Sequence, residues 1–473
     1  MLESIPADIA NDSMRLLKFL VHTKQPLTLM EAVEVIATQT DEEPRGFDPK
    51  RRLFRETDVL RHCPSLVSVI VASSDGGKTR EELHLAHFSV KEYLLKLEQF
   101  DLICASIVIT RTCLSYLTGI KGSFDNIEQD FPMARYAAKY WMDYATLAET
   151  SEDLAQTTIE FLENEATFQR WCRLYNGDIN WNSNAWQSPL LNTSRLYYAC
   201  LGDLQAATTY MLEKGADVNV EGDEYGYALQ ASSRRGNGQV VRLLLEKGAN
   251  INACGGYFDS ALHAALSGGH MEVAQLLLNE GANVNADGIF GNPLHAASKR
   301  GDRALIQLLL RETIQLLLDK GAVLNSESCL YGSALLAASG AGCIEVVQFL
   351  LDKGANIEAM GGGFRFHRRG CVVSRNYGNS LHAASHNGSY ELVQLLLVYG
   401  TDVKTKSGNS NALYIATPRS LTEIVQLHLD KSADVNAKGG EYGSALQAAL
   451  MEGYSEIMQL LSGHLWSRYL RAG

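Results

Sequence analysis

The second half of the chain repeats itself, and that constrains its fold more than any other feature. The stretch YGYALQASSRRGNGQVVRLLLEKGANINA recurs as FDSALHAALSGGHMEVAQLLLNEGANVNA, as YGSALLAASGAGCIEVVQFLLDKGANIEA and as YGNSLHAASHNGSYELVQLLLVYGTDVKT. Aligned on the leucine of an A-L-[HQ]-A-A element, the units are anchored at Leu196, Leu229, Leu262, Leu294, Leu335, Leu381, Leu413 and Leu446. The spacings are 33, 33, 32, 41, 46, 32 and 33. Each unit predicts a short helix of small residues, a glycine turn, a second helix with an apolar stripe, and a glycine C-cap. One such unit cannot bury its own apolar face, but stacked neighbours can.

Period and motif together resemble the ankyrin repeat over residues 188–473, some 60% of the chain. The expected fold is therefore mainly α, an ankyrin solenoid of about eight units. The last unit, ending MQLLSGHLWSRYLRAG, is truncated and reads as a cap. The resemblance implies that His263, His295 and His382 of the L-H-A-A element make structural hydrogen bonds between neighbouring units. It also implies that the last residues of each first helix line a concave, partner-facing surface. Five and six positions after the anchor leucines these residues are Arg234 and Arg235, Ser267 and Gly268, Lys299 and Arg300, Gly340 and Ala341, His386 and Asn387, and Pro418 and Arg419. No carboxylate occurs there until Met451 and Glu452.

Two insertions interrupt the period. IQLLL occurs twice, at 306–310 and 314–318, and an eight-residue extension of a helix turns its apolar stripe by roughly 80°. The expectation is either a longer helix or a bulge, from a tandem duplication. The second insertion, 361–376, carries Arg365, His367, Arg368, Arg369 and Arg375 with no acid, and is expected to project as a long finger or to remain a solvated loop. With the concave residues it forms a basic stripe on a chain of net charge −12, so the expected partner is an acidic protein surface. The segment 122–167, with ten Asp or Glu against only Arg135 and Lys139, is a candidate for intramolecular docking on that stripe.

Ahead of the array, residues 1–100 predict helices over NDSMRLLKFLVH and PLTLMEAVEVIAT, the latter with a Thr28/Glu31 capping box, and a third over DPKRRLFRETDVLRHC. A strand SLVSVIVA, a turn SSDGGKTRE and a strand ELHLAHF follow, then a helix capped by Ser89 and Glu92. Three helices, a hairpin and a closing helix make a winged-helix fold, and residues 101–187 read as an acidic helical connector. LRHCPSLVSVI, LAHFSVKEYLL, RLLKFLVHTKQPLTLMEAVEVIA and FPMARYAAKYWMDYA together resemble the winged-helix region and connector that follow the NACHT nucleotide-binding domain in fungal NLR-like, or STAND, proteins. That resemblance implies signalling or non-self recognition, in a chain that lacks the NACHT NTPase.

ASSDGGKT (72–79) nearly matches a phosphate-binding loop, but REELHLAHF after it reads as a strand where nucleotide chemistry needs a helix N-terminus. The third helix carries Lys50, Arg51, Arg52, Arg55 and Arg61, and the turn adds Lys78 and Arg80, which keeps a winged-helix DNA-binding regulator as the alternative. The other alternative is the C-terminal half of a nucleotide-driven switch.

The nine cysteines have neither metal-ligand nor disulfide spacing and read as buried thiols. No catalytic constellation has local motif support, so the expectation is a scaffold that is no enzyme and takes no cofactor and no metal. No secretory signal is read at the N-terminus and no apolar stretch of membrane-spanning length, so an intracellular, cytoplasmic protein is expected.

Overall fold

The computed structural model describes residues 2, 5–40, 45–73, 79–121, 127–149, 151–175, 194–286, 288, 292–298, 304–326, 332–361, 365–368, 371–374, 378–407 and 410–472. The chain forms two compact units, Met1–Gly222 and Asp223–Gly473.

In the first unit, α1 (Ala10–His22) buries Leu16, Leu17, Phe19, Leu20 and Val21. After β1 (Leu27–Thr28), α2 (Leu29–Ala37) starts at the predicted capping box: Thr28 Oγ1 accepts the Glu31 amide at 3.2 Å while Glu31 Oε2 accepts the Thr28 amide at 2.7 Å. β2 (Thr38–Gln39) and β3 (Gly46–Phe47) form a small antiparallel pair. β4 (Val67–Ser73) and β5 (Thr79–Leu85) form the predicted hairpin, with Val69 opposite Leu83, and β1 adds to its other edge to give the order β1-β5-β4. Thr79 thus opens a strand and no helix begins behind it, while the turn residues 74–78, Lys78 among them, lie outside the described residues.

Three expectations fail in this unit. The third helix does not form, and residues 48–63 make two 3-10 turns, Pro49–Arg51 and Glu56–Arg61. Tertiary pairing overrides helix propensity here. Arg51 bonds Asp12 at 2.8 Å, and Arg52 grips the buried Glu34 at 2.7 and 3.0 Å with its backbone extended (ψ 136). Phe54, which a helix would share between its faces, is 95% exposed. Second, the helix α3 (Phe88–Leu94) is capped not by Ser89 but by His87, whose Nδ1 accepts the Ser89 amide at 3.1 Å. An imidazole with a free lone pair serves the orphan amide as a hydroxyl would. Third, an apolar stretch of spanning length does exist: α4 (Leu102–Gly119), 18 residues with mean hydropathy 1.4, is long and apolar enough to cross a membrane by those two criteria. Half of it is buried in this unit, where Ala105, Ile109, Cys113, Tyr116 and Leu117 pack against α1 and other helices.

The connector continues with α5 (Ile127–Asp130), α6 (Ala134–Leu147), α7 (Glu152–Glu163) and α8 (Glu165–Tyr175), followed by the first repeat as α9 (Arg195–Leu201) and α10 (Gln205–Glu213). Its core is aromatic. Trp171 lies 5.6 Å from Trp141, 4.9 Å from Tyr198 and 6.2 Å from Phe161, and its indole N–H donates to the Ala138 carbonyl at 3.0 Å. Tyr198 belongs to the first repeat, so this cluster joins α9 to the connector.

The second unit holds seven helix pairs among the described residues. Their inner helices are Ala228–Arg235, Ala261–Gly268, Pro293–Ser298, Ala334–Ala341, Ser380–Asn387, Ala412–Ala416 and Ala445–Glu452, each packed on the next. The outer helices stack likewise. The duplicated IQLLL gives one continuous helix, Ala304–Asp319, against nine residues for Gly238–Glu246. Ile314 and Leu317 of the second copy fill the core, so that copy keeps the repeat register. The 361–376 insertion forms a finger in its described part: Arg365–Arg368 pairs antiparallel with Cys371–Ser374, with Arg365 opposite Ser374.

Candidate protein-interaction face

The inner-helix ends are held by contacts that cross from repeat to repeat. The anchor leucines of both units are buried except Leu446 in the terminal pair, which is partly exposed. The polar residue after the anchor reaches the following finger. Gln230 Nε2 donates to the carbonyls of Ala253, Gly255 and Asp259 at 3.1, 3.2 and 3.1 Å. His295 Nε2 donates to the Gly332 carbonyl at 2.8 Å, which leaves Nδ1 facing Asn292 at the helix start. His382 makes the same contact with Asn379. His295 thus makes the inter-repeat bond expected of these histidines, whereas the His382 contact with Asn379 lies within its own repeat. Burial pulls the imidazoles of His263 and His382 down to about 4, so both are neutral in the folded array near pH 7.

On that scaffold Arg234 and Arg235 end the Ala228–Arg235 helix at a left-handed Gly236. Arg234 is partly buried, its guanidinium 5.6 Å over the Phe258 ring and its carbonyl accepting from His270 Nε2 at 3.0 Å. Phe258 is in turn stacked on Tyr225, centroids 5.6 Å apart at 14°. Arg235 is exposed. His386 takes the equivalent place on Ser380–Asn387 and is partly buried, and Arg419 is exposed at the end of a 3-10 turn, Thr417–Arg419. Glu452, the first acid at this position, accepts from the Tyr442 hydroxyl at 2.7 Å. Lys299, Arg300, Arg369 and Arg375 lie outside the described residues. Arg365 and Arg368 are placed by their backbone in the finger. Four predicted residues, Arg234, Arg235, His386 and Arg419, thus occupy equivalent inner-helix ends. The exposed finger residues Asp223, Glu224 and Glu441 add acid beside them, which the leucine-anchored alignment passed over.

Several acids of 122–167 are engaged within their own unit. Asp143 pairs with Lys24 at 2.6 Å, Asp153 with Arg111, Glu165 with Arg195, and Glu149 accepts the Ala206 amide at 2.6 Å. The basic residues of the DNA-binding alternative are similarly engaged: Arg51 with Asp12, Arg52 with Glu34, Arg61 with Asp58 at 3.4 Å, and Arg80 with Glu82 at 2.6 Å. Of the described cysteines, Cys63, Cys113, Cys172, Cys200 and Cys343 are buried as expected, and burial pushes the Cys63 and Cys200 thiols up to about 12. Cys104 is partly exposed and Cys254 is exposed.

Residues 229–278 match a model of ankyrin repeats in many copies, 254–315 and 381–466 a model of three ankyrin copies, and 333–361 a single ankyrin repeat. The second unit is an array of ankyrin repeats. The human ASB11 ankyrin repeat domain, a solved structure, is similar at 24% identity and TM-score 0.41, covering 50% of this chain and 97% of that one. The azaphilone pigments biosynthesis cluster protein L of Monascus ruber is 34% identical over 51% of this chain. This chain spans 56% of that relative's length. Its name sets that relative in an enzyme-pathway context, and on this finding the expectation that the chain is no enzyme is withdrawn.

Proposed function

We propose that the ankyrin array is a protein-interaction scaffold whose inner-helix ends engage an acidic surface of a partner within an enzyme pathway, of the biosynthetic kind named for the Monascus relative. The observation that carries this reading is the placement of Arg234 and Arg235, His386 and Arg419 at the ends of the first, fifth and sixth inner helices of the second unit. Basic residues at the ends of several inner helices meet a carboxylate-bearing surface at more than one point, and their field guides association. The finger strand Arg365–Arg368, which carries Arg365 and Arg368, adds further basic residues to the array.

We read the first unit as a winged-helix module of the NLR-like, NACHT-associated type: α1, α2 and the sheet order β1-β5-β4 support it, and two 3-10 turns stand where its third helix is expected. On this reading the module and connector present the array in an intracellular signalling or recognition setting.

The test is binding of the full chain to acidic proteins of such a pathway, with Arg234→Glu, Arg235→Glu and Arg419→Glu combined. Loss of binding by about tenfold or more, with wild-type affinity falling steeply as salt rises, is the expected result. Unchanged affinity in the triple variant overturns the basic-face reading.

A further inference from the structure

The outer helix of each repeat has a central position fully enclosed by its neighbours. It holds Met211, Leu244, Leu277, Leu317, Leu350, Leu396 and Leu461, all buried. In the sixth helix pair of the second unit it holds His428, which is 0% exposed. Its Nε2 lies 2.9 Å from Ser385 Oγ on the preceding repeat. The Ser385 hydroxyl donates to the Leu381 carbonyl at 2.8 Å, so the imidazole is the donor to Oγ. Its Nδ1 then faces apolar surroundings with no hydrogen-bond partner among the described residues. An unsatisfied polar atom where every sister repeat has an apolar side chain weakens this one interface.

The same repeat departs from its sisters three more times. Five inner helices of the second unit close on a left-handed glycine, at Gly236, Gly269, Gly342, Gly388 and Gly453, where this one has Ser420 at φ 57, as the first repeat has Asp203 at φ 57. Their outer helices are followed by Gly248, Gly281, Gly321, Gly354 and Gly400, where this one has Ser432 at φ 64. A side chain in that region meets the following carbonyl, a strain that glycine does not have. Finally, its inner helix stops at Ala416 before Pro418, whereas Ser380–Asn387 and Ala445–Glu452 run eight residues. In a solenoid each repeat is held only by its neighbours, so four weakening features in one repeat concentrate at one junction.

We propose that the junction between the 380–398 and 412–430 helix pairs is a built-in opening point, at which residues 411–466 detach as a unit while 228–398 stays stacked. Acidification favours this opening. The buried His428 imidazole is held down to about 4 by desolvation and by His382 across the junction, and once released it takes up a proton near 6.5. His382 is the titratable group that bears on it. The charged residues of the packed helices, Glu391, Glu423, Asp430 and Glu456, are exposed, and Tyr390, Tyr414, Tyr454 and His464 are partly exposed. Opening the junction therefore grows by about 20-fold between pH 7 and pH 5 from His428 alone.

The experiment is hydrogen exchange of the full chain, with peptide resolution and intrinsic rates normalised, at pH 7 and pH 5. Amides of 424–429 and 457–461 should lose protection together, ahead of 240–244 and 392–396, with the gap widening at pH 5. His428→Leu should shrink the widening markedly, leaving only what His382 contributes. Ser420→Gly with Ser432→Gly should narrow the gap at both pH values and leave its pH dependence. Exchange of 411–466 in step with 228–398, or a widening that is unchanged by His428→Leu, overturns the proposal.

Discussion

Asn252 Oδ1 accepts the backbone N–H of Asn283, one repeat further on, at 2.7 Å. The contact recurs from Asn285 to Val323 at 3.0 Å and from Asn325 to Asn356 at 2.8 Å, and Glu358 continues it to Asp402 at 2.8 Å. It explains the second asparagine of the repeated A-N-[IV]-N sequence: the first caps its own turn, as Asn250 Oδ1 does for the Asn252 amide at 3.0 Å, and the second ties units together. Asn252→Ala should cost about 1 kcal/mol of array stability, the usual contribution of one hydrogen bond. Equal urea midpoints for variant and wild type would show that solvent supplies the contact just as well.

Acid should loosen the array. His263, His382 and His428 are all held down to about 4 by burial, below the ordinary histidine value, so their contribution to stability is fully present above about pH 6.5. It is lost as pH falls from there toward 4, because the unfolded chain binds protons that the buried rings do not. Each ring contributes a slope of up to about 1.4 kcal/mol per pH unit in that window. A denaturation midpoint that stays level from pH 7 to 4.5 contradicts this.

Arg52→Ala should destabilise the first unit by about 3 kcal/mol or more, since it leaves Glu34, 2% exposed, charged and uncompensated. Arg52→Ala with Glu34→Gln should recover much of the loss. Thermal melting of the two variants separates this from a DNA-contact role, for which the second substitution restores nothing.

Trp171→Ala removes the centre of the aromatic cluster and an indole hydrogen bond, and should cost about 3 to 5 kcal/mol. Because Tyr198 packs on the same ring, the first repeat should lose its structure along with the connector. Proteolysis that spares 195–213 in the variant while cutting 134–175 counts against that coupling.

Gly236→Ala should destabilise by more than the roughly 1 kcal/mol of a left-handed alanine, because a Cβ there falls 2.2 Å from His270 Nδ1. The substitution should also free His270 from the Arg234 carbonyl and so alter the proposed binding face, which a parallel affinity measurement reads.

The period of 32 or 33 residues, the anchor leucines, the capping Thr28 and Glu31 and the β4–β5 hairpin were all legible in the chain itself. They depend on neighbours in sequence or on exact repetition, and such signals survive without knowledge of distant contacts. Residues 48–63 were misread because their arginines look like a basic helix until Asp12, Gln39 and Glu34 are brought against them from elsewhere. Ser89 looked like a cap until backbone geometry gave the place to His87. His428 stands as QLHLD where other repeats read QLLLN, QLLLD, QFLLD and QLLLV, yet only the structure shows it buried against Ser385 of the preceding repeat.

By itself, then, the sequence determined that this is a repeat array with a separate helical and hairpin region ahead of it, because local periodicity decides which faces must be buried. Tertiary structure alone decided which charges remain available. Arg51, Arg52, Asp143 and Asp153 are consumed by partners distant in the chain, while Arg419 is exposed at a helix end. Pairing of charges depends on where the fold brings them, and a one-dimensional pattern does not contain that distance.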